Sequence, residues 1–479
     1  MKSLDKKLRK GLLWSVIQVF IKRIFDLLVK LVLVNLLFPE DFGLVGIATA
    51  ITSIIYVISE FGFKAALIQR KNKLLEDLHY QSVFWWSVFW SSTIFILVYF
   101  IGTPIAARFY DEPLLLKIIP ILTAPILIEA VTIVYRTKML RSLNFKTLAI
   151  INSIAAIITG FIAIIIALKG GGVWALVFYI LIPFVISLPF YIVLIRWKPK
   201  LQFSIVSLKQ LFQFGFFTFI TSLILIISSN IDYLFIGKLI STKALGIYSL
   251  AFMLTVLIST QVTSMIDRVM FPFYSKIQGN LGIIRNYYLK SLRYYSLVLF
   301  PIMLVLFVLC TPIIKLFFGY KWIDAKTPIR LLVIAVMINL ITHGCTIVFR
   351  SIGKPKLEMF ILSSILILVT IPSVYVGSFY GINGVAAATI VPAICNLTVS
   401  LYFLKRELNI TIADILTKMK PSIIAFGTTF LVVTPLFLFT PLNLIFLLII
   451  TIIVYSIILY YFFKQSIKFY MNKFLFSNK

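Results

Sequence analysis

The sequence predicts an all-α integral membrane protein of about 14 transmembrane helices, arranged as two six-helix lobes with two further helices at the carboxyl end. Three observations carry this. First, 61% of the 479 residues are apolar and only 13% charged, with a mean hydropathy of +1.06, against about 45–50% and roughly 25% in ordinary globular proteins. Second, the apolar residues fall into runs of the length a bilayer demands. Third, landmarks in the first half return in the same order in the second.

The composition excludes a soluble multidomain enzyme and a disordered chain. Cys310, Cys345 and Cys395 are scattered through apolar stretches. They show neither metal-site spacing nor a disulfide pattern, so they are packing residues.

A hydrocarbon core needs about 20 apolar residues per helix. Fourteen runs qualify: 11–38, 43–63, 80–103, 117–135, 147–168, 173–195, 211–237, 245–267, 291–312, 329–349, 359–376, 383–404, 420–438 and 442–463. They are continuous rather than alternating, so they are helices and not barrel strands. The first follows a basic stretch, as a signal peptide would, but its length and lack of a small-residue cleavage site predict that it is retained.

With the amino terminus placed in the cytoplasm, 33 of the 45 Lys and Arg residues fall on the cytoplasmic side, 9 on the far side and three within the first span. That asymmetry predicts cytoplasmic termini, and it explains the net charge of +29 without nucleic acid. No connecting loop exceeds about 25 residues, which leaves no space for an extramembrane catalytic domain.

The repeat is visible in four landmarks. Gly43-Leu44-Val45 resembles Gly246-Ile247-Tyr248, and Thr103-Pro104-Ile105 returns as Thr311-Pro312-Ile313. Thr132-Ile133-Val134-Tyr135-Arg136 matches Thr346-Ile347-Val348-Phe349-Arg350, and Gly172-Val173 matches Gly384-Val385. A six-helix unit returns the chain to the same side, so the two copies share orientation and are related by a pseudo-twofold along the membrane normal. The expected divisions are 1–200 and 201–410 for the lobes, with 411–479 for the two extra spans and a cytoplasmic tail. Two lobes around a central cavity suit alternating access.

Charges inside spans mark candidate sites. The first span holds Lys22, Arg23, Asp26 and Lys30, each costing about 2.5–3.5 kcal/mol if turned to lipid. Ser15, Gln18, Lys22, Asp26 and Lys30 share one helical face, with Arg23 at its border. Ion pairs at i,i+4 spacing are one explanation. One carboxylate cannot neutralise three cations, however, and the surplus suits an anionic substrate. Glu60 and Lys64 end the second span, as Asp267 and Arg268 end the eighth. Asp232 lies in a polar patch with Ser228, Ser229 and Asn230, where a cation or proton site competes with a hydrogen-bonded helix contact. Glu129 receives no role, His343 is expected to be a satisfied core histidine, and Arg136 and Arg350 are expected from positive-inside placement. No phosphate-binding Gly-rich loop, metal cluster or paired loop carboxylates are present, so neither an enzyme activity nor a cofactor is expected.

Lys10-Gly11-Leu12-Leu13-Trp14-Ser15, Phe42-Gly43-Leu44 and Glu60-Phe61-Gly62, on a twelve-plus-two span plan with a cationic first helix, resemble the polysaccharide transporters of the MOP superfamily, Wzx-type and colanic-acid-exporter-like flippases above all. The resemblance spans essentially the whole chain. It implies a flippase moving undecaprenyl-pyrophosphate-linked oligosaccharides across the bacterial plasma membrane for surface polysaccharide such as lipopolysaccharide or O-antigen. Lys22, Arg23 and Lys30, with Arg268, would hold the pyrophosphate. Asp26, Asp232, Glu60 and Asp267 would orient charge or couple a cation. A polymerase and chain-length machinery are the implied partners beside the lipid-linked substrate. A cation-coupled multidrug exporter of the same superfamily and a membrane glycosyltransferase or polymerase are the alternatives. Membrane potential, protons and sodium all stay open as energy sources.

Overall fold

The computed structural model describes residues 25–70, 74–142, 144–277, 279–439 and 443–476. The regular structure of these residues is helical. Eleven helices are long and apolar enough to cross a membrane, or twelve if the pair Thr218–Ser228 and Ile231–Leu239, bent by 42°, is one span. Two of the fourteen expected runs account for the difference. The first half of run 11–38 lies outside the described residues. Run 329–349 is interrupted after Ile341, and Gly344 at φ +79° starts a separate short helix.

In chain order the helices are α1 (25–36), α2 (Pro39–Glu60), α3 (Phe63–Gln69), α4 (Asp77–Tyr110), α5 (Leu115–Arg141), α6 (Phe145–Leu168), α7 (Val173–Leu194), α8 (Ile205–Ser228), α9 (Ile231–Leu239) and α10 (Thr242–Phe252). They continue with α11 (Ile258–Lys276), α12 (Leu281–Val308), α13 (Lys326–Ile341), α14 (Cys345–Ser351), α15 (Lys356–Ser378), α16 (Gly381–Leu408), α17 (Ile412–Phe439) and α18 (Leu444–Phe476). The chain forms two compact units, the first ending at Ser249 and the second starting at Leu250.

Sequence chemistry sets several of the boundaries in the first unit. Pro39 opens α2 at a position where its missing N–H costs nothing, and the Phe38 N–H donates to Asp41 Oδ2 at 3.0 Å. The helix ends where Phe61 and Gly62 both take left-handed backbone, φ +50° and +73°. Glycine tolerates this conformation freely and phenylalanine does not. Rings hold Phe61 in place: Phe219 stacks on it at 4.8 Å and Trp90 meets it edge-on at 6.3 Å. Arg141 from the end of α5 donates to the carbonyls of Leu67, Ile68 and Arg70. These are the unpaired acceptors that a helix such as α3 leaves at its carboxyl end.

The first landmark of the repeat reappears as geometry. A Cβ on Gly43 would sit 1.8 Å from the Thr242 carbonyl oxygen, and one on Gly246 would sit 1.8 Å from that of Pro39. Pro39 and Thr242 are 203 positions apart, as are Gly43 and Gly246. Two segments related by one shift therefore exchange the same contact, as a twofold relation requires. Close helix approach through small residues is how membrane helices gain packing without a hydrophobic drive. Glu40 Oε1 lies 3.7 Å from Lys243 Nζ beside this contact, and these positions share the same shift.

In the second unit α12 runs between α11, α13 and α17. The two terminal helices, outside the repeat in sequence, pack on α12 through Val308, Leu309, Val433, Leu444 and Leu447, with Ser296 Oγ donating to Ser422 Oγ at 3.0 Å.

Candidate functional site

The first span is described only from residue 25, so Lys22 and Arg23 lie outside the described residues. Within α1, Leu27 and Leu28 are exposed, whereas Asp26 and Lys30 are half-buried. The buried side faces α6 and α7. Phe25 and Val29 close over Gly160 of α6, and Tyr179 Oη of α7 donates to Asp26 Oδ1 at 3.0 Å. A carboxylate in apolar surroundings must be hydrogen-bonded or paired, and Tyr179 supplies one such bond. Lys30 follows Asp26 by one turn on the same stripe.

A second polar centre lies inside the first unit. A small cavity is lined by Tyr56, Ser59, Glu60 and Lys64 of the α2–α3 region, Ser87 and Ser91 of α4, and Glu129 of α5. Glu129 forms an ion pair with Arg136, two turns on along α5, and the Arg136 guanidinium lies 5.9 Å from the Tyr191 ring centre. Glu60, expected at the end of its span, does line this cavity. Glu129, which received no role, is its second carboxylate. The seven-residue spacing from Arg136 was the available signal, because residues seven apart share a helix face.

The third centre lies in the second unit. Tyr295 Oη of α12 donates to Asp267 Oδ1 of α11, and His343 Nε2 lies 3.1 Å from Asp267 Oδ2. The His343 side chain is 29% exposed and that of Asp267 21%. His343 is partnered, as expected, but its partner is an acid on another helix and it sits at the break between α13 and α14. The Arg268 side chain lies outside the described residues.

Asp232 is hydrogen-bonded within the first unit. It is 6% exposed at the first turn of α9, and it accepts from Tyr248 Oη at 2.7 Å and from the Tyr233 N–H at 3.0 Å. The polar patch around it is where α8 gives way to α9. Arg350 donates twice to Glu358 of α15, from Nε at 2.8 Å and Nη2 at 2.5 Å. Lys354 pairs with Glu407.

Comparison with known proteins decides the family. The family described as "Polysaccharide biosynthesis protein" matches residues 32–327, more than half of the chain. The protein belongs to this family. Among relatives of this polysaccharide biosynthesis protein, the teichuronic acid biosynthesis protein TuaB of Bacillus subtilis (strain 168) is 26% identical over 370 residues, covering 77% of the chain and 76% of TuaB. The lipopolysaccharide biosynthesis protein WzxC of Escherichia coli (strain K12) is 24% identical over 359 residues, covering 74% and 69%. Among solved structures, the lipid II flippase MurJ in its inward closed conformation superposes with a TM-score of 0.77 at 18% identity, covering 95% of this chain and 99% of MurJ. At that identity the likeness speaks for the fold alone. The polysaccharide biosynthesis protein thus has the helical membrane fold that its apolar runs imply.

Proposed function

We propose that this protein is a flippase that carries a polyprenyl-pyrophosphate-linked oligosaccharide from the cytoplasmic to the outer leaflet of the bacterial plasma membrane, by alternating access between its two repeats. A pyrophosphate with a sugar attached cannot cross hydrocarbon unaided, and a lateral opening is needed for the prenyl tail. One observation carries the reading: in a polysaccharide biosynthesis family member, α1 keeps Asp26 and Lys30 half-buried, with Asp26 bonded to Tyr179 of α7, while Leu27 and Leu28 are exposed. Family membership and the fold shared with a lipid II flippase support it.

On this reading Lys22, Arg23 and Lys30, with Arg268, hold the pyrophosphate through charge-assisted hydrogen bonds. Asp26, fixed by Tyr179, orients the cations, while Asp232, Glu60 and Asp267 order charge elsewhere. The substrate leaves chemically unchanged, so no catalytic group is needed. Both termini face the cytoplasm, and a polymerase with its chain-length machinery receives the product.

The test is Lys22→Ala or Lys30→Ala, assayed by surface polysaccharide at matched expression. Loss of export with lipid-linked repeat units accumulating on the cytoplasmic side is expected. Normal export at normal expression removes the assignment.

A further inference from the structure

We propose that Asp267 and His343, joined through Tyr295, form a proton-carrying site that couples the export described above to proton entry. The inference rests on the flippase reading and deepens it by naming the coupling ion and the residues that hold it.

The argument begins with the repeat. The shift that takes Thr132 to Thr346 takes Glu129 to His343 and Arg136 to Arg350. Glu60 and Asp267 end corresponding spans. Each unit therefore carries a polar centre built from the same two places, an acid near the end of its second helix and an ionisable group on its fourth. In the first unit the counter-ion is permanent, because Glu129 pairs with Arg136 and guanidinium does not lose its proton.

In the second unit that arrangement is undone. Glu358 accepts two hydrogen bonds from Arg350, from Nε and Nη2. Among the described side chains, the cation-capable group within ion-pair distance of Asp267 is His343. A fixed positive charge has been replaced by imidazole, the side chain whose charge ordinarily changes between about pH 5 and 8.

The other titratable or charged groups on the packed elements are Arg268, Tyr274 and Lys276 on α11, Arg285, Tyr287, Tyr288, Lys290, Arg293 and Tyr294 on α12, Lys326 and Arg330 on α13, and Cys345 and Arg350 on α14. Tyr274 Oη is bonded to Ser291, Cys345 Sγ to Ser400 and Arg285 to Asp414. Protonated, the pair is neutral overall; deprotonated, it leaves a carboxylate in the span. Such a charge is expensive away from water, so each protonation state favours a different exposure of the site. Gly344 at φ +79° places His343 at a break between two helices, where the side chain can follow relative movement of α13 and α14.

The chemistry is a single transfer. With Nε2–H held by Asp267 Oδ2, His343 Nδ1 accepts a proton from water on one side of the membrane and returns it to water on the other, with no other bond made or broken. One such proton under a one-unit pH gradient is worth about 1.4 kcal/mol, or roughly tenfold in the distribution of a coupled substrate.

The experiment uses full-length protein in liposomes with the membrane potential clamped at zero. The probe is a fluorescent prenyl-pyrophosphate-linked N-acetylglucosamine, followed by chemical quenching from outside, and proton movement is followed by an internal pH dye. Wild type should redistribute the probe by up to about tenfold per pH unit and move protons with it. His343→Gln and Asp267→Asn should leave the distribution near unity under the same gradient. In parallel, histidine labelled at Cε1 gives two resonances, since the chain has two histidines. Scanned across roughly pH 5 to 8, the one removed by His343→Gln should respond to Asp267→Asn. Probe flipping without proton movement, or with an unaltered gradient response in His343→Gln, overturns the coupling while leaving the flippase intact. A His343 resonance that does not change across that range overturns the site. No flipping in any preparation overturns the flippase reading instead.

Discussion

Gly43 and Gly246 offer a sharp test of the repeat, because the same substitution should fail twice for the same reason. An added Cβ would meet a backbone carbonyl oxygen at 1.8 Å in each case, where ordinary contact starts at 3.4 Å. The helices would have to separate by about 1.6 Å, and neither obstacle is the end of a flexible side chain. Overpacking of this kind costs about 1–3 kcal/mol, which is roughly a 5- to 150-fold shift away from the close contact. The contact can be read by cross-linking Glu40→Cys to Lys243→Cys with a short bifunctional thiol reagent, in a chain whose Cys310, Cys345 and Cys395 are Ala. Gly43→Ala and Gly246→Ala should each reduce the cross-linking rate within that range. Gly46→Ala is the control, since its Cβ would meet the flexible Leu245 side chain at 3.3 Å and should change the rate little. Equal cross-linking in all four proteins would show that the reciprocal contact does not hold these segments together.

Other expectations follow from single contacts. Glu129→Leu strands Arg136 and should cost about 1–3 kcal/mol of thermal or denaturant stability, a figure reduced from that of a fully buried pair because the Arg136 side chain is 27% exposed. The double variant Glu129→Leu with Arg136→Leu should recover most of it, and a cycle without coupling would refute the pairing. Tyr179→Phe removes the bond to Asp26 and should weaken α1 docking by about 0.5–1.5 kcal/mol, seen as faster amide exchange over 25–36. Arg141→Met strips three acceptors at the end of α3; exchange over 63–70 should rise, and unchanged protection there would dismiss the cap. Gly427→Ala on α17 meets no atom within 4 Å and should stabilise by about 0.5–1 kcal/mol, measured by the same unfolding assay.

The spans were legible in the sequence because hydropathy senses length and composition, which is all that crossing a membrane requires. Interruptions within them were not. Run 211–237 is long enough to read as one span despite the patch at Ser228, Ser229, Asn230 and Asp232, yet the helix stops after Ser228 and Asn230 leaves helical backbone, φ −128°. A hydrogen-bonded break of two residues barely alters mean hydropathy. The interruption at Gly344 is of the same kind, and there a glycine was the available sign. Of the site residues, the polar stripe on the first span was visible because helical periodicity is local. The partners were not, because Asp26 meets Tyr179 across 153 positions and Asp267 meets His343 across 76. Such pairs depend on which helices pack together, and only the register of the repeat could have linked positions 60 and 129 with 267 and 343.

That register also sharpens what duplication has achieved here. Two copies of one helical unit begin with identical polar positions, and a static counter-ion in both would make the halves electrostatically alike. The first unit keeps the carboxylate and the arginine together, Glu129 with Arg136. In the second, Glu358 binds the equivalent Arg350 and histidine stands in the carboxylate's place. Binding free energy can drive a conformational cycle only where the two states hold the ligand differently. On the coupling proposed above, the divergence at positions 129 and 343 confines the proton's effect to one of the two units.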